Sequence, residues 1–359
     1  MIRALIAGAV LVVAAATLVV AGGGNSQPAS QHSGQPVSRH SVPPPDPLLA
    51  FTARAARGGT SQVFLLRADS SIRQLTHGVP SLTARDWSPD RSQLLVTDRE
   101  GNGAAILTLD IATGILKTVW QHGGVVSAAR WSADGSRIAF IWGGRLYSMP
   151  SDGSSVKELL PGHAGTTSLA WSDRGLGLAV ATAVDHRPTV VLMRDGRPLR
   201  DLSTACRRSV GVECFQGTDP AWSPDGAVVF RCPSGHATGL CIVRRGVAGV
   251  DRVRLLGAEA QNPRLPAWSP VTESLAFVAS GGLFVAPDRS GRPRLATTLA
   301  ATSAPSWSAN GENIAAAVRG PGGWSVLAVA QRDGWGVTTF SSPSPALPEI
   351  VGPPVWRPR

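Results

Sequence analysis

Lysine is nearly absent from this sequence. Of 34 Lys and Arg side chains, only Lys117 and Lys157 are lysine, so the net charge of +10 is carried by arginine. A GC-rich coding sequence produces such a balance, and so does selection for anionic lipid headgroups, acidic wall polymers or nucleic acid. The arginines are scattered, Arg85, Arg137, Arg197, Arg254 and Arg294 among them, and the densest pairs are Arg207-Arg208 and Arg244-Arg245. With no basic helix and no aromatic-interleaved basic block, a nucleic-acid partner is not expected. Cysteine is scarce as well: the chain has 4, none before Cys206, which excludes lipoprotein attachment to the N-terminal segment. A G-x-S-x-G elbow is missing, so a fused peptidase or esterase has no support. His77, His122, His163, His186 and His236 are isolated, fall between the apolar runs and lack metal-ligand spacing, so they read as loop residues. Beyond the N-terminal segment no stretch shows helical periodicity, and the expected class is all-β.

What recurs is a turn. Trp222-Ser223-Pro224-Asp225-Gly226 is its fullest copy. Degraded copies begin at Trp87 (WSPDR), Trp131 (WSADG), Trp171 (WSDRG), Trp268 (WSPVT) and Trp307 (WSANG), and a truncated one, WRPR, begins at Trp356. Neighbouring tryptophans stand about 39 to 51 residues apart, the period range of propellers and solenoids. Pro presets φ for a β-turn, Asp bonds its own backbone, and Gly supplies the conformation other residues resist. The leading Trp gives each turn a large apolar anchor against the next repeat, so these seven tryptophans are the expected structural residues of the repeat.

Each complete motif is followed by a short apolar run, starting at Leu94, Ile138, Leu178, Val228, Leu275 and Ile314, and Leu48 starts a similar run with no motif before it. Every unit continues through two more runs punctuated by Gly and Asp, and a fourth leads into the next Trp. Four short strands per repeat describe a propeller blade. Seven such runs predict a seven-bladed β-propeller of four-stranded blades over residues 48–359. The unit from Trp171 to Ala221 is the one whose misreading would reduce the count to six. The chain ends are complementary: Trp356 opens a motif without its following strand, and Leu48 starts a strand without its motif. Joining them closes the ring and hides its edges.

Residues 1–21 form the second strong signal. After Arg3, the run from Ala4 to Ala21 is uncharged and rich in Ala, Val, Leu and Ile. As a helix its roughly 18 residues reach ~27 Å, just short of the ~30 Å bilayer core. The segment reads as an uncleaved membrane anchor or a signal peptide cleaved near Ala21, and both readings export the remainder. Residues 22–47 are rich in Gly, Ser, Gln and Pro, ending in Pro43-Pro44-Pro45-Asp46-Pro47, and read as a disordered, partly polyproline spacer.

The motifs resemble those of the TolB-like, or PD40 (WD40-like), β-propeller repeat family. WSADGSRIAF (Trp131 to Phe140) and WSPDGAVVF (Trp222 to Phe230) match the family's turn-then-strand pattern best. Arg73-Gln74-Leu75-Thr76 matches the R-Q-L-T that often closes a unit. The resemblance spans Pro47 to Arg359. TolB itself has six blades behind a small α/β domain, whereas only linker-like sequence precedes Leu48 here. The anchored, arginine-rich chain is more similar to the actinobacterial TolB-like translocation proteins. The signature of true WD40 repeats, Gly-His early in a unit with Trp-Asp late in it, does not occur, and sialidase Asp boxes place Trp last where this motif places it first.

Four cysteines in one stretch of an exported chain predict disulfides. Sequential pairing, Cys206 with Cys214 and Cys232 with Cys241, is the favoured of three arrangements, and zinc is the rival. The first pair would close a small loop carrying Arg207 and Arg208, a candidate contact surface; the second would pinch a hairpin. Two functions compete. One is a monomeric, non-catalytic, cofactor-free scaffold at the cell envelope, tethered to the membrane and binding a protein or an anionic envelope component. The other is a lactonase- or hydrolase-like enzyme or small-ligand sensor with its site in the central channel. The lining of that channel discriminates between them.

Overall fold

The computed structural model describes residues 48–358 apart from 55–58, 79, 99–102, 185–186, 203–217, 235–236, 246–250, 257–259, 289–291, 321–323, 335 and 341–348. The anchor and linker readings of residues 1–47 lie outside the described residues, as do Cys206, Arg207, Arg208 and Cys214.

Seven antiparallel sheets follow one another along the chain, and the fold is the expected all-β, seven-bladed propeller. The second blade is typical: Leu82–Trp87, Gln93–Asp98, Ala104–Asp110 and Leu116–His122 pair in sequence order. Each motif tryptophan from Trp87 to Trp307 ends the first strand of its sheet, and Trp356 ends the last strand of the chain, which pairs with Leu49–Arg54, so the run leading into the motif belongs to the same blade as the run that follows it. The stretch from Trp171 to Ala221 contributes a true blade, with strands Ser168–Trp171, Leu178–Val184, Arg187–Arg194 and Arg197–Asp201. One expectation of detail changes. His122 is part of the strand Leu116–His122, where its ring stacks near Trp120 and meets Trp142 edge-on at 4.5 Å. In the third blade the third run is short, pairing as a strand over Lys157–Glu158 with one further bond from Leu159 N–H to Leu146 O.

The ring closes through its ends. Leu49–Arg54 pairs with Ser61–Leu66 on one side and with two C-terminal segments, Glu349–Ile350 and Val355–Trp356, on the other. Val351 N–H donates to Thr52 O between them, and Arg54 Nε donates to Glu349 Oε2 at 2.7 Å. An edge that would otherwise expose unpaired amides is thereby filled by the same chain.

The motif's residue types follow from its hydrogen bonds. In the turn after Trp131, Ser132 Oγ donates to Asp134 Oδ1 at 2.6 Å and accepts from Arg137 N–H at 2.9 Å. Asp134 Oδ1 also accepts from Ser136 N–H. Ser88 with Asp90 and Ser308 with Asn310 repeat the arrangement. These bonds, the one from Ser132 foremost, hold the Asp134 carboxyl down to about 2. The fifth position takes positive φ, at 70° for Gly135 and 89° for Gly226, and in the WSPDR copy Arg91 is forced to 66°.

Central strands read as unbroken apolar runs because neighbouring blades cover both faces of each sheet. Leu49, Phe51 and Ala53 pack with Ala315, Ala317 and Leu327 of the seventh blade, whereas Leu48 and Ala50 face Leu94, Val96 and Leu107 of the second. A one-residue slip would exchange these two surroundings. Cross-strand ring pairs recur at equivalent places: Phe51–Phe64, Phe140–Tyr147 and Phe277–Phe284, with centroids 5.6 to 5.8 Å apart.

Candidate functional site

All seven motif tryptophans, Trp87, Trp131, Trp171, Trp222, Trp268, Trp307 and Trp356, line one cavity of about 790 Å³. One wall residue from every blade places the cavity on the propeller axis, at the end where the motif turns lie. The rim is rich in proline, including Pro89, Pro270, Pro305 and Pro354.

The indoles also stitch blade to blade. Trp222 Nε1 donates to Ala170 O at 3.0 Å, Trp307 Nε1 to Ala267 O at 2.8 Å, and Trp87 Nε1 to Val355 O at 2.9 Å across the closure. In each case the acceptor is the residue before the preceding blade's tryptophan. The buried Nε1 atoms of Trp131, Trp171 and Trp356 have no hydrogen-bond partner among the described residues. Burial divides them differently: Trp87, Trp131 and Trp307 are 3%, 7% and 6% exposed, while Trp171, Trp222 and Trp356 are half-buried. The tryptophan of the fullest motif copy is thus not among the most deeply packed.

Charge enters the wall only where the repeat is degenerate. The residue before the motif Trp is Ala170, Ala221, Ala267, Ser306 or Val355 in five blades, and Asp86 and Arg130 in the other two. Two residues after the Trp, the rim carries Pro or Ala except for Asp173. Asp86 Oδ2 accepts from Trp131 N–H at 2.9 Å and Oδ1 from Trp87 N–H at 3.1 Å. Loss of solvent pushes its carboxyl up to about 6, against the attraction of Arg130 and the bond from Trp131, while Asp173 adds repulsion. Asp173 keeps surface open to the cavity, yet the surrounding walls displace enough water to raise its carboxyl too. Asp219, at φ 54°, is raised by burial against bonds from Thr218 and Leu265 N–H and the attraction of Arg231 and Arg264. Arg130 Nη1 donates to Ala129 O at 3.2 Å and to Arg85 O. The Arg357 guanidinium lies 5.9 Å from the centre of the Trp87 ring.

Sequence reasoning missed Asp86, Arg130, Asp173 and Asp219 because it sought local motifs. The available signal was departure from the consensus when the seven copies are laid over one another. Among the described residues no group of three or more His, Cys, Asp and Glu is arranged to hold a metal.

Cys232 and Cys241 form a disulfide with Cα atoms 5.8 Å apart. They are diagonal rather than opposite: Cys232 faces Gly239, and Cys241 faces Phe230. Both are buried with Val228, Phe230 and the fourth blade's Ala179 and Val190. The bridge therefore staples the hairpin from the core side and presents nothing to a partner.

No family model matches the chain. Among solved structures, TolB from Acinetobacter baumannii aligns with a TM-score of 0.58 at 17% identity, over 87% of this chain and 67% of that one. A protein from Lactobacillus plantarum gives 0.58 at 12% identity, over 87% of this chain and 99% of that one. The oligogalacturonate lyase from Vibrio parahaemolyticus gives 0.55 at 11% identity, over 79% of this chain and 91% of that one. Likeness at these identities carries fold and not chemistry, and what the chain shares with these structures is its fold.

Proposed function

We propose that this protein is an extracytoplasmic, membrane-tethered interaction scaffold that binds a protein partner through the tryptophan- and proline-lined basin on its axis, without catalysis. The observation that supports it is the basin wall: seven indoles and a proline rim offer broad apolar contact, and two of the charged wall residues, Asp86 and Arg130, are already bonded to the backbone. Aromatic, well-packed concavities with few polar groups are the usual anchors of protein recognition. The apolar N-terminal run supports tethering, and the resemblance to TolB-like repeats supports a cell-envelope setting. Leu48 enters the propeller beside the basin, because Arg357 N–H donates to Leu48 O at 2.9 Å.

Site-specific photo-crosslinking in the producing cell tests this reading. A crosslinker at Ala133 or Ala309, both in the basin wall, is expected to capture a discrete protein adduct, and one at exposed Thr113 is not. Adducts of equal yield at all three positions, or none at the basin, would refute it.

A further inference from the structure

The basin carries acid on a basic protein. The chain has a net charge of +10, yet Asp86, Asp173 and Asp219 all line this one cavity. Of its two arginines, Arg130 already donates to Ala129 O and Arg85 O. The other, Arg357, lies over the Trp87 ring, so the protein's own terminal segment seats a guanidinium on one of the basin indoles. Indole faces attract cations through their quadrupole, more strongly where water is thin. Asp173 stands on the rim within electrostatic reach of Asp86, whose charge is partly offset by Arg130. An isolated divalent ion suits this wall poorly, since no three carboxylate, His or Cys groups converge among the described residues. An extended side chain with a delocalised charge and an apolar stem matches indole, proline and carboxylate together.

We infer that the basin recognises a basic side chain, arginine before lysine, presented by a partner polypeptide, with Asp173 and Asp86 as its anionic seat and the neighbouring indoles as its walls. This rests on the scaffold reading and names the chemistry of its partner. Arg357 covers one of those walls, the Trp87 ring.

Calorimetric titration of the full chain with the peptides acetyl-Gly-Arg-Gly-amide and acetyl-Gly-Gln-Gly-amide, and with calcium chloride, tests it. The arginine peptide is expected to bind saturably and at least ten-fold more tightly than the glutamine peptide. Asp173→Asn should weaken it several-fold, whereas Asp152→Asn, on an exposed turn away from the basin, should leave it unchanged. Arg357→Ala should strengthen it, a gain that a damaged fold would not produce. Equal binding of the two peptides, an unaffected Asp173→Asn variant with both peptides bound, or displacement of the arginine peptide by millimolar calcium would overturn the inference. If basin crosslinks persist while the arginine peptide fails to bind, this inference falls and the scaffold reading stands. Loss of the crosslinks removes the scaffold reading itself.

Discussion

Two arcs of the basin wall are built from one repeat and differ in kind. From the second to the fourth blade, the degenerate positions hold Asp86, Arg130 and Asp173, and the indole nitrogens of Trp131 and Trp171 are unpaired. From the fifth blade round to the closure, the residues before the tryptophan are Ala221, Ala267, Ser306 and Val355, charge is left to Asp219 and Arg357 at other positions, and the indoles of Trp222 and Trp307 bond the preceding blade. In this more apolar arc two tryptophans hold blades together, as Trp87 does across the closure. In the charged arc that role passes in part to Asp86, whose carboxylate bonds Trp131 N–H in the neighbouring blade. A repeat tolerates such exchange because the strand pairing of each blade is independent of the residue at its axis.

The largest contrast is expected in the tryptophans themselves. Trp307→Ala should cost about 3–5 kcal/mol, since a buried ring and its indole bond are lost together. Trp171→Ala, at a half-buried ring with no indole bond, should cost about 1–2 kcal/mol. Urea unfolding of both variants measures the difference, and equal losses would break the comparison.

Behind the apolar arc lies the bridge in the fifth blade. Reducing Cys232–Cys241, separated by 9 residues, should lower stability by about 2–3 kcal/mol on the chain-entropy model. Thermal melts with and without reductant test this, with the seven-bladed ring expected to survive below the new midpoint.

The charged arc should reveal itself through pH. Asp86 has a folded-state pKa raised from 3.8 to about 6. The folded protein therefore binds a proton more readily than the unfolded chain in that window, and stability falls as pH rises from about 4 to about 6, then levels off. The ceiling is about 3 kcal/mol, and water in the basin reduces it to the order of 1–2 kcal/mol. Asp173 and Asp219 act in the same direction. The turn carboxylates such as Asp134, held at about 2, act oppositely, and their contribution is lost only below pH 4. Melting temperatures from pH 4 to 8 should slope downward in the native protein and be flatter in Asp86→Asn; an identical slope in both would remove Asp86 as the cause.

The smallest effect sharpens the comparison from the turn side. Arg91→Gly relieves a positive φ of 66° at an exposed position, and should stabilise by about 0.5–1 kcal/mol without altering the pH slope. A loss of stability would show that the Arg91 side chain contributes more than its backbone strain costs.

Much of the architecture was legible in the residues. The W-S-x-D-G turn announces itself because its Ser, Asp and Gly each satisfy a nearby backbone group, and such bonds depend on spacing within a few residues. The closure was legible too, since Pro47-Leu48 and Trp356 each lack what the other supplies. His122 was misplaced because a strand end and a loop look alike in a short polar stretch. The Cys232–Cys241 pair was visible from its spacing, but its inward direction was not, because facing depends on register with Gly239 and Phe230.

By itself, then, the sequence determined a seven-fold repeat, the chemistry of its turns and a ring sealed by its own ends, all of which follow from local spacing and period. Only the tertiary structure decided which of the degenerate positions meet. Asp86, Arg130 and Asp173 belong to three different repeats, and they line one cavity because the ring turns the end of the first strand and the following turn of every blade toward one axis. The raised carboxyls follow from that convergence, since burial, and for Asp86 also the repulsion of Asp173, require walls that no single repeat contains.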